Sequence, residues 1–246
     1  MRGHVAKAAL LVLGAFTPVL ACTATAGAAT TIHRVSTEDP LRSCNVANDV
    51  SGTRGYEHQA SVEVDPRDGT HVAAVWTQEL DDGTVLATSR DGGVTWASVG
   101  VPGQTPGCDD DLDYDSAQNP RAAVGPDGAI YVISNLLNSN TGAQAVRVNV
   151  TRDDGATWTG SFTLEDRASL DWVWVAADPR APGSAHVLWG HREADTLGNV
   201  TAAWEQLAST SNWGGSWTRQ RDDVRLTPPE GQTYQWGQLH ALSDGT

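Results

Sequence analysis

Three stretches of this chain repeat one pattern of small, acidic and aromatic residues at nearly constant spacing. Ser89-Arg-Asp91-Gly-Gly93-Val-Thr95-Trp96 returns as Thr151-Arg-Asp153-Asp-Gly155-Ala-Thr157-Trp158. It returns again as Thr210-Ser-Asn212-Trp-Gly214-Gly-Ser216-Trp217, after steps of 62 and 59 residues. Self-similarity at a fixed period marks a repeat architecture, in which each unit must cover its apolar face with its neighbours. The repeat therefore constrains the fold more than any other feature of the sequence.

The intervals between copies read as short strands. No window shows a helical period with caps, and runs of four to eight apolar or alternating residues lie between Gly, Asp and Pro turns. In the first unit Ser61-Val-Glu-Val64 alternates, Asp65-Pro-Arg-Asp-Gly69 turns, His71 to Trp76 is a continuous run, and Thr84 to Thr88 follows a polar loop. The second unit gives Arg121 to Val124, Ile130 to Ile133 and Gln144 to Val150, and the third gives Trp172 to Val175, Ala185 to Trp189 and Asn199 to Leu207. Four hairpin-joined strands per unit predict an all-β fold, a β-propeller of four-stranded antiparallel blades.

The repeated octet itself resembles the Asp-box, also called the BNR repeat, of the sialidase superfamily. That resemblance implies a hairpin between the third and fourth strands of each blade. Its glycines supply backbone angles that other residues resist, its Asp and Ser side chains bond local donors, and its Trp packs into the blade. It assigns Ser89, Asp91, Gly93, Trp96, Thr151, Asp153, Gly155, Trp158, Thr210, Asn212, Gly214 and Trp217 to structure, not catalysis. Sialidase propellers have six blades. Gln238 to Thr246 aligns with Ala122 to Gly128, so residues 56–246 read as blades 1 to 3 plus the start of blade 4, about three and a half of six. The expectation is an incomplete chain whose partner is the missing C-terminal half, prone alone to association and inactive.

Residues 1–28 read as a signal peptide. Arg2 and Lys7 precede an apolar core from Ala8 to Leu20, too short to span a bilayer, and Ala26-Gly-Ala28 is a small-residue cleavage site. Val19-Leu-Ala-Cys22 also resembles a lipobox, so the alternative to free secretion is a lipid anchor on Cys22. Residues 29–55 form an N-terminal arm. With Cys22 removed or acylated, Cys44 and Cys108 remain as an even pair in an oxidising compartment. A disulfide is expected, with two free buried thiols the alternative. Without Arg2 and Lys7 the cations fall from 16 to 14 against 30 acids, a net of −16. Nucleic acid is excluded as a partner because binding it needs basic clusters. The balance suits an extracellular life.

Topology places candidate chemistry at the blade end opposite the Asp-boxes, before each first strand and after each second. Arg54, Tyr56, Glu57, His58, Asp81 and Asp82 gather there in the first unit. Arg121 comes from the second, Trp172, His191 and Arg192 from the third, and Tyr234 from the fourth. Mixed aromatic and carboxylate residues suit an extracellular glycan. The family resemblance implies an exo-α-sialidase-type glycoside hydrolase, with arginines on the substrate carboxylate, an Asp acid/base and a Tyr nucleophile activated by Glu. The Tyr/Phe-Arg-Ile-Pro motif of its first blade is here Tyr56-Glu57-His58-Gln59, so a glutamate stands in the arginine position. A unit charge pair at 4 Å is worth about 4 kcal/mol at an effective dielectric near 20, so the exchange opposes an acidic sugar at that position.

Two readings follow: Glu57 with Asp81 or Asp82 as an acid/base pair on a sugar, or a non-catalytic propeller that binds glycan or protein. Arg54, Tyr56, His58, Arg121, Trp172, His191, Arg192 and Tyr234 are the candidate substrate contacts. No cofactor is expected. The acidic run from Asp109 through Asp111 to Asp113 has oxygen ligands for Ca²⁺ but not the spacing of a calcium loop.

Overall fold

In a computed structural model, the structure describes residues 31–44, 55–109, 111–168, 170–195, 200–220, 224–226 and 238–241. The segment with the apolar core and Cys22, together with Arg54 and Tyr234, lies outside the described residues. Among the described residues no helix is long and apolar enough to cross a membrane.

Three antiparallel blades follow one another. β1 (Glu57–Val64), β2 (Val72–Gln78), β3 (Gly83–Ser89) and β4 (Ala97–Gly100) form the first, in sequence order. β5 (Ser116–Val124), β6 (Ile130–Leu137), β7 (Gln144–Thr151) and β8 (Thr159–Ala168) form the second. β9 (Leu170–Ala177), β10 (Ala185–Ala194), β11 (Val200–Thr210) and β12 (Thr218–Arg219) form the third, and β13 (Val224–Leu226) pairs with β11 beyond β12. The fourth strand of blade 3 is thus in two pieces, one at each end of β11. β5 packs on β1 and β2, and β9 packs on β5 and β6. The first strands therefore converge on the inside, as in a propeller.

The core lies between blades, not inside them. Strands β2, β3 and β6 are almost wholly buried: β6 lies between blades 1 and 3, and β2 and β3 lie between blade 2 and an N-terminal arm. Between blades 1 and 2, Val75 and Leu86 meet Val124 and Ile130. Between blades 2 and 3, Tyr131 and Val148 meet Val175 and Trp189. The loop leaving β4 is pinned into blade 2 by Gln104, a fully buried side chain. Its amide donates to the Asn149 Oδ1 at 2.8 Å, and its Oε1 accepts from the Ser134 hydroxyl at 2.8 Å.

All three repeats form the same hairpin. In the first, the Asp91 carboxylate accepts from the Ser89 hydroxyl at 2.8 Å, the Thr95 amide at 2.8 Å and the Thr95 hydroxyl at 2.6 Å. Asp153 repeats this with Thr151 and Thr157. In the third copy the Asn212 Oδ1 accepts from Thr210 and the Ser216 amide, while its Nδ2 donates to the Ser216 hydroxyl. An amide has the same shape as the carboxylate, so the hairpin survives the exchange.

The Trp does more than fill its own blade: Trp158 packs against the core shared with blade 1, and Trp217 against the core shared with blade 2. Gly155 and Gly214 have positive φ values of 91° and 74°, and a Cβ on either would meet a valine of the preceding blade at 2.7 Å.

Each hairpin also grips the next. Arg90 donates twice to Asp154, and the fully buried His71 lies between Asp65 and Asp154 at 3.3 and 3.0 Å. One blade further on, the Arg152 guanidinium sits 4.7 Å over the ring of Trp213, the residue in the place of Asp154.

An arm precedes blade 1. Leu41, only 1% exposed, packs with Val35 and Cys44 against Trp76, Val85 and Ala87 on the blade's outer face. Cys44 and Cys108 form the disulfide, with their Cα atoms 4.8 Å apart across 64 residues of chain. It ties the arm to a single 3-10 turn, Pro106–Cys108, in the loop entering blade 2.

Candidate functional site

Antiparallel register sends the Asp-boxes and the candidate residues to opposite ends. Val72 pairs with Ser89 at one end of the β2–β3 hairpin and Gln78 with Gly83 at the other. The seven residues of β3 span roughly 20 Å at about 3.3 Å each. Asp91 and Asp153 are thus remote from the mouth, and Asp81 lies at it.

Every first strand is interrupted near its mouth end. Pairing slips between His58 and Ser61 in β1, between Gln118 and Arg121 in β5, and between Trp189 and His191 where β10 meets β9. Gln59 and Asn119, at φ 57° and 52°, are left-handed residues inside the first two bulges. The Asn119 amide donates to the Gln59 side-chain oxygen at 2.7 Å, so the two bulges are bonded across the blade boundary. Bulges re-aim side chains and recur beside active sites.

The turn after β2 is unusual in backbone. Glu79, Leu80 and Asp81 all have positive φ, 57°, 54° and 82°. Each such residue costs of order 1–3 kcal/mol and persists only where surrounding bonds over-determine it. Here they do. The buried Glu79 carboxylate accepts the Gly55 amide at 2.8 Å and the Asp81 carbonyl accepts the Ala117 amide at 2.6 Å. The Asp81 Oδ2 accepts from Gln118 Nε2 at 2.8 Å, and its Oδ1 lies 2.9 Å from His58 Nε2 in an ion-pair contact.

Each candidate among the described residues has a definite place. Asp81 has both carboxylate oxygens engaged, by His58 and Gln118. Asp82 is buried, and its carbonyl accepts the Gly107 amide at 2.8 Å. Glu57 is the exposed carboxylate of the three, opening β1. Tyr56 is 54% exposed, with its ring 5.7 Å from that of His58.

Arg121 lies half-buried on β5, its guanidinium 4.8 Å over the Trp174 ring and its NH1 donating to the Pro120 carbonyl at 2.8 Å. Burial depresses the Arg121 pKa. Trp172 is 43% exposed at the start of β9, and Arg192 is exposed on β10.

His191 also lies toward this end of its strand, opposite Leu170 where β9 begins. It is buried, stacked on Trp204 at 4.9 Å and 3.2 Å from both Glu165 and the Trp189 indole nitrogen. Glu165 in turn accepts from Arg219 at 2.8 Å. That cluster joins the outer strand of blade 2 to blade 3, and it places His191 inside the packing.

The acidic loop is organised by local bonds. Asp109 Oδ1 accepts the Asp111 amide, the Asp113 carbonyl accepts from Asn138, the Asp115 carboxylate accepts the Ser139 amide at 3.0 Å, and Tyr114 donates to Asp166. Among the described residues no group of three or more His, Cys, Asp or Glu is gathered to hold a metal ion.

Sequence reading missed Gln59, Gln118, Asn119 and Trp174. One signal was present. Counted back from the turns that begin at Asp65 and Gly125, His58-Gln59 and Gln118-Asn119 take the same place in their blades.

No protein-family model matches the chain, and no curated protein matches it. Among solved structures it is similar to a Hadza microbial sialidase, at 11% identity over 69% of this chain and 38% of that one, with a TM-score of 0.45. It is similar to a Penicillium chrysogenum α-L-arabinanase at 14% identity, over 69% and 50% of the two chains, with a TM-score of 0.45. A Fusarium graminearum α-L-arabinofuranosidase is similar at 14% identity, over 71% and 51%, with a TM-score of 0.46. The chain spans about half or less of the length of these structures.

Proposed function

We propose that this chain belongs to a secreted, sialidase-like Asp-box propeller that acts on extracellular glycans, a glycoside hydrolase of the exo-α-sialidase type by resemblance. One observation carries the reading. The first strands carry Glu57, His58 and Trp172 near the end away from the structural hairpins, with Tyr56 just before β1 and with Arg121 and Trp174 in mid-strand beyond a bulge in each. Aromatic faces and charged groups on converging strands match the chemistry of sugar recognition, in which rings stack and polar groups fix orientation. The disulfide and the apolar leader support the extracellular assignment.

In the hydrolytic reading, Glu57 is the carboxylate placed to exchange a proton with a glycosidic oxygen. Asp81 favours the second reading, a propeller that binds glycan without cleaving it. Its two oxygens already serve His58 and Gln118, so it fixes the turn better than it moves protons.

Fluorogenic sialoside and arabinoside turnover, measured beside glycan-array binding, tests both readings. Turnover lost in Glu57→Gln with binding kept supports the hydrolase. Binding without turnover in the full-length protein selects the binding propeller. A full-length protein that neither binds nor cleaves any glycan overturns the proposal.

A further inference from the structure

Glu79, Leu80 and Asp81 are three successive left-handed residues. Among the described residues of the corresponding turn after β6, 138–143, the positive φ falls on Gly142. Left-handed residues other than glycine persist only where their surroundings over-determine them. Bonds to Gly55, Ala117 and Gln118 hold the turn itself. A second set of contacts holds the residues that follow it.

Two segments close on Asp82 and Gly83. The loop 101–109 supplies the Gly107 amide, which donates to the Asp82 carbonyl at 2.8 Å, and the Gln104 carbonyl, which accepts the Thr84 amide at 2.8 Å. The arm supplies Leu41. A Cβ on Gly83 would meet the Leu41 Cδ1 at 2.8 Å and the Thr105 Cγ2 at 2.7 Å, so only a bare backbone lets both side chains close there. Leu41 is itself fixed, because its amide donates to the Asp39 carboxylate at 2.9 Å and its carbonyl accepts the Cys44 amide at 2.9 Å. The Cys44–Cys108 disulfide joins the two segments three residues past Leu41 and one past Gly107. A covalent tie there keeps both segments at the turn, where separate ends would have to find each other.

We propose that Leu41 and the Cys44–Cys108 disulfide are positioning residues for the mouth. They clamp Asp82 and Gly83, and so keep Asp81 against His58 and Gln118 in the geometry that meets a glycan. The inference rests on the glycan reading above. It gives the arm a part in recognition besides its part in stability.

Amide hydrogen exchange and calorimetric binding of a methyl sialoside and a methyl arabinoside, both on the full-length protein, test it. The native protein is compared with Leu41→Ala, with Leu41→Met and with Cys44→Ser combined with Cys108→Ser. Leu41→Ala and the paired serine variant are each expected to speed exchange of the Gly55, Gly107 and Ala117 amides roughly tenfold more than exchange of the β10 amides in blade 3. Affinity for the sugar that the native protein binds falls by about tenfold. Leu41→Met, which keeps the volume, preserves both. Uniform acceleration at the turn and in β10 shows a general loss of stability and overturns the inference. Unchanged exchange at the turn overturns it as well, and so do looser turn amides with sugar affinity intact. A native protein whose turn amides respond as expected, but which binds neither sugar nor any arrayed glycan, supports the clamp and overturns the glycan reading.

Discussion

The two ends of the blades hold carboxylates in opposite ways. At the hairpin end, Asp91 takes all its donors from within four residues, and Asp153 repeats the arrangement 62 residues later. At the mouth end, Asp81 is held by His58 of its own blade and by Gln118, 37 residues away in the next. The hairpin acids are interchangeable, so copy three replaces the acid with Asn212 and keeps its bonds. The inner strands are not: Ser61, Arg121 and Trp174 share one mid-strand place and have three different chemistries. Repetition marks what every blade needs to fold, and divergence at equivalent positions marks where the blades act together.

Breaking the hairpin end should cost stability and spare the mouth. Trp158→Ala removes a ring from the core between blades 1 and 2 and is expected to destabilise by about 3–5 kcal/mol. Urea unfolding monitored by intrinsic fluorescence measures the loss. Glycan binding by the surviving folded fraction should be unchanged, and a parallel loss of affinity would show that the two ends are coupled.

The disulfide sits between these extremes, since it anchors the arm to the loop at the mouth of blade 2. Cys44→Ser is expected to lower stability by about 4 kcal/mol in a chain-entropy treatment of a loop of this length. Melting with and without reductant checks it. A reductant-insensitive native chain would contradict the bridge.

Glycines sharpen the comparison within the hairpin end. Gly155→Ala combines a positive φ with a methyl 2.7 Å from Val99 of blade 1, whereas Gly92 has a positive φ and open space around it. The first substitution is expected to cost about 2–3 kcal/mol and the second about 1 kcal/mol. Equal losses in thermal unfolding would mean that the hairpin does not press on the preceding blade.

The smallest effect is in pH. Hydrogen bonds from the Thr95 side chain and amide, and then from Ser89, hold the Asp91 carboxyl well below the usual carboxylate range, and Thr157 does the same for Asp153. A carboxyl lowered in the folded state contributes stability above its unfolded value, near 4, and loses it as pH falls toward the folded one. Acidification below about pH 4 should therefore weaken the chain, and Asp91→Asn should flatten that limb of a melting-temperature profile. An unchanged profile in the variant would show that these exposed acids add nothing.

The sequence by itself determined the period, the strands and the hairpins. Each rests on interactions between residues close in the chain: a Ser or Thr, an Asp and a Gly within a few positions, or apolar runs between turns. The Cys44–Cys108 pairing was also legible, because these are the two cysteines that follow the apolar N-terminal run. Tertiary structure decided which mouth residues meet. Asp81 and Asp82 are adjacent in sequence, yet one is bonded across the blade boundary by Gln118 and the other is buried. His191 reads as a mouth residue by position, but stacking on Trp204 and contact with Glu165 draw it into the packing. Gln118, Asn119 and Trp174 have no local partner that would flag them, and their roles exist only because β1, β5 and β9 converge. Short-range bonding leaves a pattern in the sequence, and contact between blades leaves less of one, because its partners lie 26 to 86 residues apart.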